Sequence, residues 1–515
     1  MTDDADLETV PDEWRGLLRE YQRRIAMGRS MGGQEKLARR AAQGRPNARQ
    51  MIAALVDADS FMELGTLAGS QPCRGEAAVP ADALIGGLAR IDGRPVVVAC
   101  EDFTSMGGSI GHATNAKRVR LANLALHEQV PYVSLLEGSG ERATNALQRH
   151  PYAPNDLQIL ARLSGVAPTV AIVVGASAGH GALTGLLKYF VIMTDDACMF
   201  SAGPPLVAIA LGEQVSKVEL GGADLHATIS GVCHNRVKDT AEAFATARRF
   251  LALLPSSAYT TVPRRQGPHT APRRLDGILS IVPRDSRQAY DMRAVIAQLV
   301  DSTDDLLEIQ PHYGRSIITA LARLGGYAVG IVANQPSVLA GAIDAAAADK
   351  ATHFINLCSA YHLPVAFLAD NPGVLSGTAA ERQGTLRAAA AMYAAQARLR
   401  SAKLHVTLRK AFGFGSSLMA MNPFDQQTLT LAFPGIQLGG IPASGGAQAA
   451  GVADDTQARM AAAERDGAWL AGDAMAYDEI IDPRQLRNAL ITGLELSAQR
   501  LSRLAAPTSA AGIAP

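Results

Sequence analysis

The chain is poor in the residues that staple a protein or tune it to a polyanion. Its five cysteines (Cys73, Cys100, Cys198, Cys233 and Cys358) stand far apart in 515 residues, and none forms a Cys-x-x-Cys pair. That excludes a zinc ribbon and a disulfide framework and leaves a reduced, cytoplasmic protein as the expectation. Charge of one sign is missing too. Lys plus Arg and Asp plus Glu number 48 each, so nothing in the balance favours nucleic acid or an anionic membrane surface. Apolar runs are cut by Gly, Pro and charges before they reach bilayer length. The opening residues, Met1-Thr-Asp-Asp-Ala-Asp6, lack the apolar stretch of a secretory signal. No metal is expected.

What the chain does have is apolar content, 48%, and a repeat. Its length allows two to four domains at about 150 residues each, and each can bury a full core. Sliding Ile91–Glu137 forward by 233 positions sets Gly93 on Gly326, Gly108 on Gly341, Lys117 on Lys350, Pro131 on Pro364 and Glu137 on Asp370. With one more residue of slippage Gly179 meets Gly413. Turn residues and strand-end charges align in this way when two halves share one fold.

Within each half, apolar runs of strand length alternate with helical stretches. Strands are expected at 95–100, 132–136 and 169–174, then again at 327–333, 364–369 and 404–408. Helices are expected at 116–129, 342–359 and 385–400, and a charged helical segment spans 13–42 with a break at Met27–Gly33. Such alternation implies an α/β fold with parallel strands and ligand-facing loops at their carboxyl ends. The segment from Pro255 to Pro283 holds five prolines and the pairs Arg264-Arg265 and Arg273-Arg274; it reads as a solvated linker. The Ala/Pro-rich tail after Leu504 reads as loose.

Two Gly-rich loops recur at equivalent places, Gly179-His180-Gly181 and Gly413-Phe414-Gly415. Each follows a strand and precedes a helix, so its backbone amides suit a developing negative charge. A single such loop is ordinary in α/β proteins; the matched pair points to two anion sites. His180 has two readings: its ring donates a proton or hydrogen bond near the oxyanion, or it turns away and only its amide serves. Lys117 and Lys350 either reach phosphates or sit at helix ends, and Glu137 and Asp370 either act as bases or cap the following turns. Gly175-Ala-Ser-Ala-Gly179 also matches the G-x-S-x-G nucleophile elbow, which would make Ser177 a nucleophile with His226 or His234 as its base. The second half has no serine at the matching place, which argues against it.

Nearly the whole chain resembles the carboxyltransferase (β) subunits of biotin-dependent acyl-CoA carboxylases, of the propionyl-CoA carboxylase type. The resemblance rests on Met31-Gly-Gly-Gln-Glu-Lys-Leu-Ala-Arg39, Asp102-Phe-Thr-Ser-Met-Gly-Gly-Ser-Ile-Gly111, Glu219-Leu-Gly-Gly-Ala223 and Ser230-Gly-Val232. It continues through Tyr290-Asp-Met-Arg293, Ala333-Asn-Gln-Pro336, Asp370-Asn-Pro-Gly373 with Gly377-Thr378, and Arg409-Lys-Ala-Phe-Gly413. It implies two tandem crotonase-like domains, 1–258 on the acyl-CoA side and 285–515 on the biotin side. Acyl-CoA would lie on the first half of one subunit and carboxybiotin on the second half of another, in a homo-oligomer, commonly a hexamer.

By that resemblance the chain moves a carboxyl group from carboxybiotin to the α-carbon of an acyl-CoA through an enolate. Gly179 and His180 would form the oxyanion hole for the enolate, and Gly413 and Phe414 would hold the biotin ureido oxygen. Gly107, Gly108, Gly138, Gly140, Gly181, Asn334 and Gly415 would line the substrates. No Met-Lys-Met biotinylation signature occurs, so biotin would arrive on a separate carrier chain, with a biotin carboxylase as further partner. The chain departs from the family where the loops usually read Gly-Gly, because His180 and Phe414 replace the second glycine. The amide survives any replacement but proline, while a side chain fills space that glycine leaves open. Two alternatives remain: biotin-independent enolate chemistry such as malonyl-type CoA decarboxylation, and a non-catalytic subunit of a carboxylase complex.

Overall fold

A computed structural model describes residues 10–70, 78–147, 155–423 and 425–502. Cys73, the acidic start and the tail after Leu504 lie outside them. The chain forms two compact units. One takes the residues up to Leu225 together with Arg236–Arg248, and the other takes His226–Asn235 and the chain from Arg249 onward. No helix among the described residues is long and apolar enough to cross a membrane.

The first unit opens with helices α1 (Asp12–Arg29), α2 (Gln34–Ala42) and α3 (Ala48–Leu55), then strands β1 (Met62–Glu63), β2 (Leu84–Ile91) and β3 (Arg94–Glu101). Helix α4 (His112–Glu128), β4 (Tyr132–Leu136), α5 (Asp156–Leu163) and β5 (Thr169–Val173) follow. Then come β6 (Ala176–Ala178), α6 (His180–Leu186), β7 (Phe190–Thr194), β8 (Cys198–Phe200), α7 (Pro204–Leu211) and β9 (Asn235–Val237). The sheet runs β1-β2-β3-β4-β5-β7-β9, and β6 pairs with β8 apart from it. β3, β4, β5 and β7 are parallel. β4 and β5 are buried along their whole length, as continuous apolar runs covered on both faces must be. Leu121, Ala122 and Ala125 of α4 and Ile159, Leu160 and Leu163 of α5 pack with Leu84, Val97, Ala99 and Tyr132.

The second unit repeats the plan with α8 (Met292–Leu299), β10 (Leu307–Ile309), β11 (Ile317–Leu324), β12 (Tyr327–Asn334), α9 (Ala345–Ala360) and β13 (Val365–Asn371). It continues through α10 (Thr385–Arg398), β14 (Lys403–Phe412), α11 (Gly413–Leu418), β15 (Leu429–Ala432), β16 (Gln437–Gly439), β17 (Glu479–Ile480) and α12 (Leu486–Ser502). Its sheet runs β10-β11-β12-β13-β14-β15-β17, with β16 on the end of β14. One difference between the halves is informative. The first half breaks a strand into β5 and β6, and the second keeps it whole as β14, whose last residues pair with β16 as β6 pairs with β8.

Two features depart from the sequence expectation. Each sheet carries an antiparallel hairpin beside its parallel strands, β2–β3 and β11–β12, rather than parallel strands alone. Its turn residues, Asp92-Gly93 and Gly325-Gly326, all have positive φ, the type I′ geometry that suits strand twist. A carboxylate grips each turn. Asp57 accepts from the amides of Asp92 (3.0 Å) and Gly93 (2.8 Å), and Asp301 from those of Gly325 (2.8 Å) and Gly326 (2.7 Å).

The other departure is the Pro-rich stretch, which is fastened to the second unit instead of being a solvated linker. Leu275 and Ile278 are buried in its core. The basic pairs are spent internally as well: Arg264 donates to the Gly325 carbonyl (2.9 Å) and stacks on Tyr327, and Arg265 pairs with Asp305 (3.1 Å).

Asp301 also holds the fully buried Arg487 at 2.6 Å. Asp301→Ala strips two turn amides of their acceptor and a buried guanidinium of its carboxylate partner, leaving Arg487 the carbonyls of Leu299, His269 and Ala271. The expected loss is about 3–5 kcal/mol, read as a lower urea midpoint for the second unit; an unchanged midpoint contradicts the clamp.

Candidate functional site

The first turn is built where β3, β4 and β5 end. Glu101, the last residue of β3, is buried and accepts from the Glu137 amide (2.8 Å) and from Arg118. Burial pushes its carboxyl up, and Arg118 pulls against that shift. Gly138 and Gly181 lie against this carboxylate: a Cβ on either would stand 2.7 and 3.1 Å from its oxygens. A Cβ on Gly108 would meet the Glu137 carbonyl at 2.5 Å, and one on Gly140 the Ala178 carbonyl at 2.9 Å. Internal packing therefore accounts for these glycines. Gly107 has more room, its nearest neighbour being Ser139 Oγ at 3.4 Å.

At Gly179 the chain turns at φ 56°. The Gly179 amide donates to the Phe200 carbonyl at 3.1 Å and the Ala178 amide to the Gly138 carbonyl at 3.0 Å. Gly179 thus supplies the bend, and the amides that the turn offers are those of His180 and Gly181, which open α6 ahead of any intrahelical acceptor. The second half repeats the bend at Gly413, φ 55°. There Ser416 Oγ donates to the Gly413 carbonyl (2.6 Å), and a Cβ on Gly415 would lie 2.6 Å from Asn371 Oδ1. Phe414 turns outward, 55% exposed. It forms part of the wall of a pocket of ≈ 380 Å³ with Leu386, Tyr393 and Leu418 rather than filling it.

The strand-end acids are neutralised. Glu137 is buried between Arg40 (2.6 Å) and Arg45 (3.2 Å). Asp370 is buried against Arg409 (2.7 Å) and the Tyr290 hydroxyl (3.0 Å), and Arg409 stacks on the Tyr290 ring. Neither is placed as a free general base. Asn334 is buried, donating to the Gly341 carbonyl (3.2 Å) and accepting from the Asp370 amide and Asn371 (3.1 Å each), so it braces the second loop from within. Lys117 and Lys350 are neither phosphate ligands nor solvated helix ends. Each is buried and spends its ammonium on carbonyls, of Ala81 and Leu84 in one half and of Gln310 and Tyr313 in the other. Burial pulls them down to about 8 and about 7 respectively.

Ser177 is no nucleophile elbow. It lies inside β6, fully buried, and its hydroxyl has no hydrogen-bond partner among the described residues. His226 bonds Ser230 instead (2.7 Å), and His234 stacks on His353 at 4.7 Å.

Sequence reasoning missed the group behind the first turn. His180 Nε2 lies 2.6 Å from Oδ1 of Asp156, the first residue of α5, which is 1% exposed. Arg118 bridges Asp156 (3.6 Å) and Glu101. Burial alone would raise the Asp156 carboxyl, but the His180 hydrogen bond and the Arg118 charge outweigh it and hold it below the ordinary value. Nearby, Lys188 is buried over the Tyr132 ring at 4.6 Å, without a hydrogen-bond partner among the described residues, and burial brings it down to about 7. No local pattern flags His180, Asp156, Arg118 and Glu101 together, because they come from four separate elements.

Two tandem α/β units, each with a glycine-bent strand-to-helix turn at the carboxyl ends of its parallel strands, define the tandem crotonase-like class. The comparisons with known proteins agree. Residues 39–509 match the carboxyl transferase domain model. The methylmalonyl-CoA carboxyltransferase 12S subunit of Propionibacterium freudenreichii subsp. shermanii is 34% identical over 492 residues, covering 91% of this chain and 92% of that one. The methylmalonyl-CoA decarboxylase subunit alpha of Veillonella parvula is 32% identical, covering 93% and 95%. A biotin-dependent acetyl-/propionyl-coenzyme A carboxylase beta5 subunit of Mycobacterium tuberculosis is 31% identical, covering 95% and 93%. A crystal structure of transcarboxylase 12S, described as a hexamer with methylmalonyl-coenzyme A and methylmalonic acid bound, superposes with TM-score 0.88 at 32% identity over 95% of this chain and 97% of that one. The chain belongs to the carboxyl transferase family, and the expectation of a carboxyltransferase subunit of the acyl-CoA carboxylase type stands.

One substitution separates this reading from the hydrolase one, and a second tests the turn itself. Ser177→Ala should leave turnover within about twofold, since the change is buried and unpartnered. Gly179→Pro should abolish it, because proline cannot take φ 56° and removes the bond to Phe200. Both are read as initial rates on a CoA thioester.

Proposed function

We propose that this chain transfers a carboxyl group between carboxybiotin on a separate carrier and the α-carbon of a short acyl-CoA, through a thioester enolate. The observation that carries the reading is the matched bend, φ 56° at Gly179 and 55° at Gly413, at the same place in both halves of a carboxyl transferase. On this reading residues 1–258 take the acyl-CoA and 285–515 the biotin. The amides of His180 and Gly181 stabilise the enolate oxygen at the Gly179 bend, each worth about 3 kcal/mol in the transition state. Gly107, Gly108, Gly138 and Gly140 shape the floor on which the thioester lies.

Around the second bend, the apolar wall of Leu386, Tyr393 and Phe414 fits the hydrocarbon body of a bicyclic ring, and Gly413, Phe414 and Gly415 present amides to its ureido oxygen. Carboxybiotin, when bound, supplies the carboxyl group and a nitrogen able to take the α-proton. The chain's own residues orient the thioester and stabilise charge. This division of labour agrees with Glu137 and Asp370 being tied up in ion pairs. By likeness to the transcarboxylase 12S described as a hexamer, the chain would assemble as a hexamer, with a biotin carboxylase and a biotin carrier as partners. The four described cysteines, all buried free thiols, suit the cytoplasm.

A second reading is favoured by the Veillonella relative named as a decarboxylase subunit: the same turn holds the same enolate after loss of CO2 from a carboxylated acyl-CoA. Purified protein should carboxylate one or more of acetyl-, propionyl- and butyryl-CoA when given a carboxylated biotin carrier. It should release no CO2 from methylmalonyl-CoA without a biotin acceptor. Biotin-independent release of CO2 selects the second reading, and inactivity in both assays overturns both.

A further inference from the structure

We infer that Asp156 and the His180 ring form a latch that fixes the turn presenting the His180 and Gly181 amides, so that both side chains are positioning residues for enolate formation. This rests on the proposed function of that turn. Gly179 has the widest conformational freedom of any residue type, and a bend built on it needs a tether if the next two amides are to stay in register with a substrate oxygen. The tether is the Nε2 atom, the end of the ring away from the backbone, which lies 2.6 Å from Asp156 Oδ1. Asp156 does not swing: it is 1% exposed, and the helix it begins is anchored by Ile159, Leu160 and Leu163 in the core.

The charges facing Asp156 keep it an acceptor. Arg118 stands 3.6 Å from its other oxygen and also pairs with Glu101, whose carboxylate abuts Gly138 and Gly181. Lys188, poised over Tyr132, adds attraction from the same side. One buried network thus meets the turn at His180 and Gly181 and the neighbouring loop at Gly138. The bond also commits one end of the ring: Nε2 faces the Asp156 carboxylate, an acceptor-only group when ionised. The ring holds the turn, and the main chain does the electrostatic work.

The test compares full-length wild type with His180→Gln, whose amide can still donate to Asp156, and with His180→Ala and Asp156→Asn. The turnover assay is that of the proposed function. His180→Ala and Asp156→Asn should lower kcat about 10- to 100-fold, the cost of misplacing a catalytic group, with the KM for the thioester within about threefold. His180→Gln should stay within about threefold of wild type in both. Equal loss in His180→Gln and His180→Ala assigns the work to imidazole chemistry and overturns the latch; full activity of His180→Ala also overturns it. A second readout needs no turnover. Amide hydrogen exchange at Gly179, bonded to Phe200, and at Leu183, bonded to the Gly179 carbonyl, should accelerate at least about tenfold in His180→Ala and not in His180→Gln. Wild type that is inactive yet shows this exchange pattern sinks the proposed function alone, and unchanged exchange in His180→Ala sinks the latch.

Discussion

The structure depends on a backbone conformation that L-residues avoid. At Gly179 and Gly413 the chain leaves a strand and enters a helix with φ near +56°, a region where a Cβ meets its own carbonyl. The bend swings the start of each helix across the ends of the parallel strands, and so sets which amides face outward. Everything beneath it serves to keep it there. Carboxylates lie under the turn, guanidiniums neutralise them, and neighbouring glycines have no side chain because the chain segments touch. The first bend alone is backed by Glu101, Arg118 and Asp156; the second is backed by Asp370, Arg409 and Tyr290. The halves solve one mechanical problem with different side chains in one topological place.

Much of this was legible in the sequence. The parallel strands were, because runs such as Tyr132–Leu136 and Val365–Ala369 are apolar throughout and end in a charge followed by a turn. The bends were, because glycine recurs at a fixed offset and few other residues tolerate the geometry. The hairpin partners Leu84–Ile91 and Ile317–Leu324 escaped notice, since their signal lies in a turn whose capping carboxylate comes from tens of residues upstream. The Pro255–Pro283 stretch misled for a similar reason. Proline and arginine look solvated in a string, yet Leu275 and Ile278 between them are core residues, and Arg264 finds an aromatic face and a carbonyl. Asp156 was invisible because its partner is 24 residues away, on a different helix.

The departures from the family's glycine pairs take on opposite characters. His180 turns inward to a buried carboxylate, whereas Phe414 turns outward and becomes part of a pocket wall. Both keep a backbone amide at the turn. A loop of this kind tolerates side chains so long as each finds room away from the close-packed backbone around it. The residues with the least freedom are those around it, where backbone meets backbone.

The carboxylate clasps at Asp57 and Asp301 carry a consequence for how the molecule reaches its shape. A parallel sheet joins strands that are remote along the chain, and closing such loops is slow. Each hairpin, by contrast, joins strands that are adjacent along the chain, and its reversal is pinned by an acid a few tens of residues upstream. Each half therefore contains one strand pair that closes over a two-residue turn, free of the long loop closures that its remote parallel strands require.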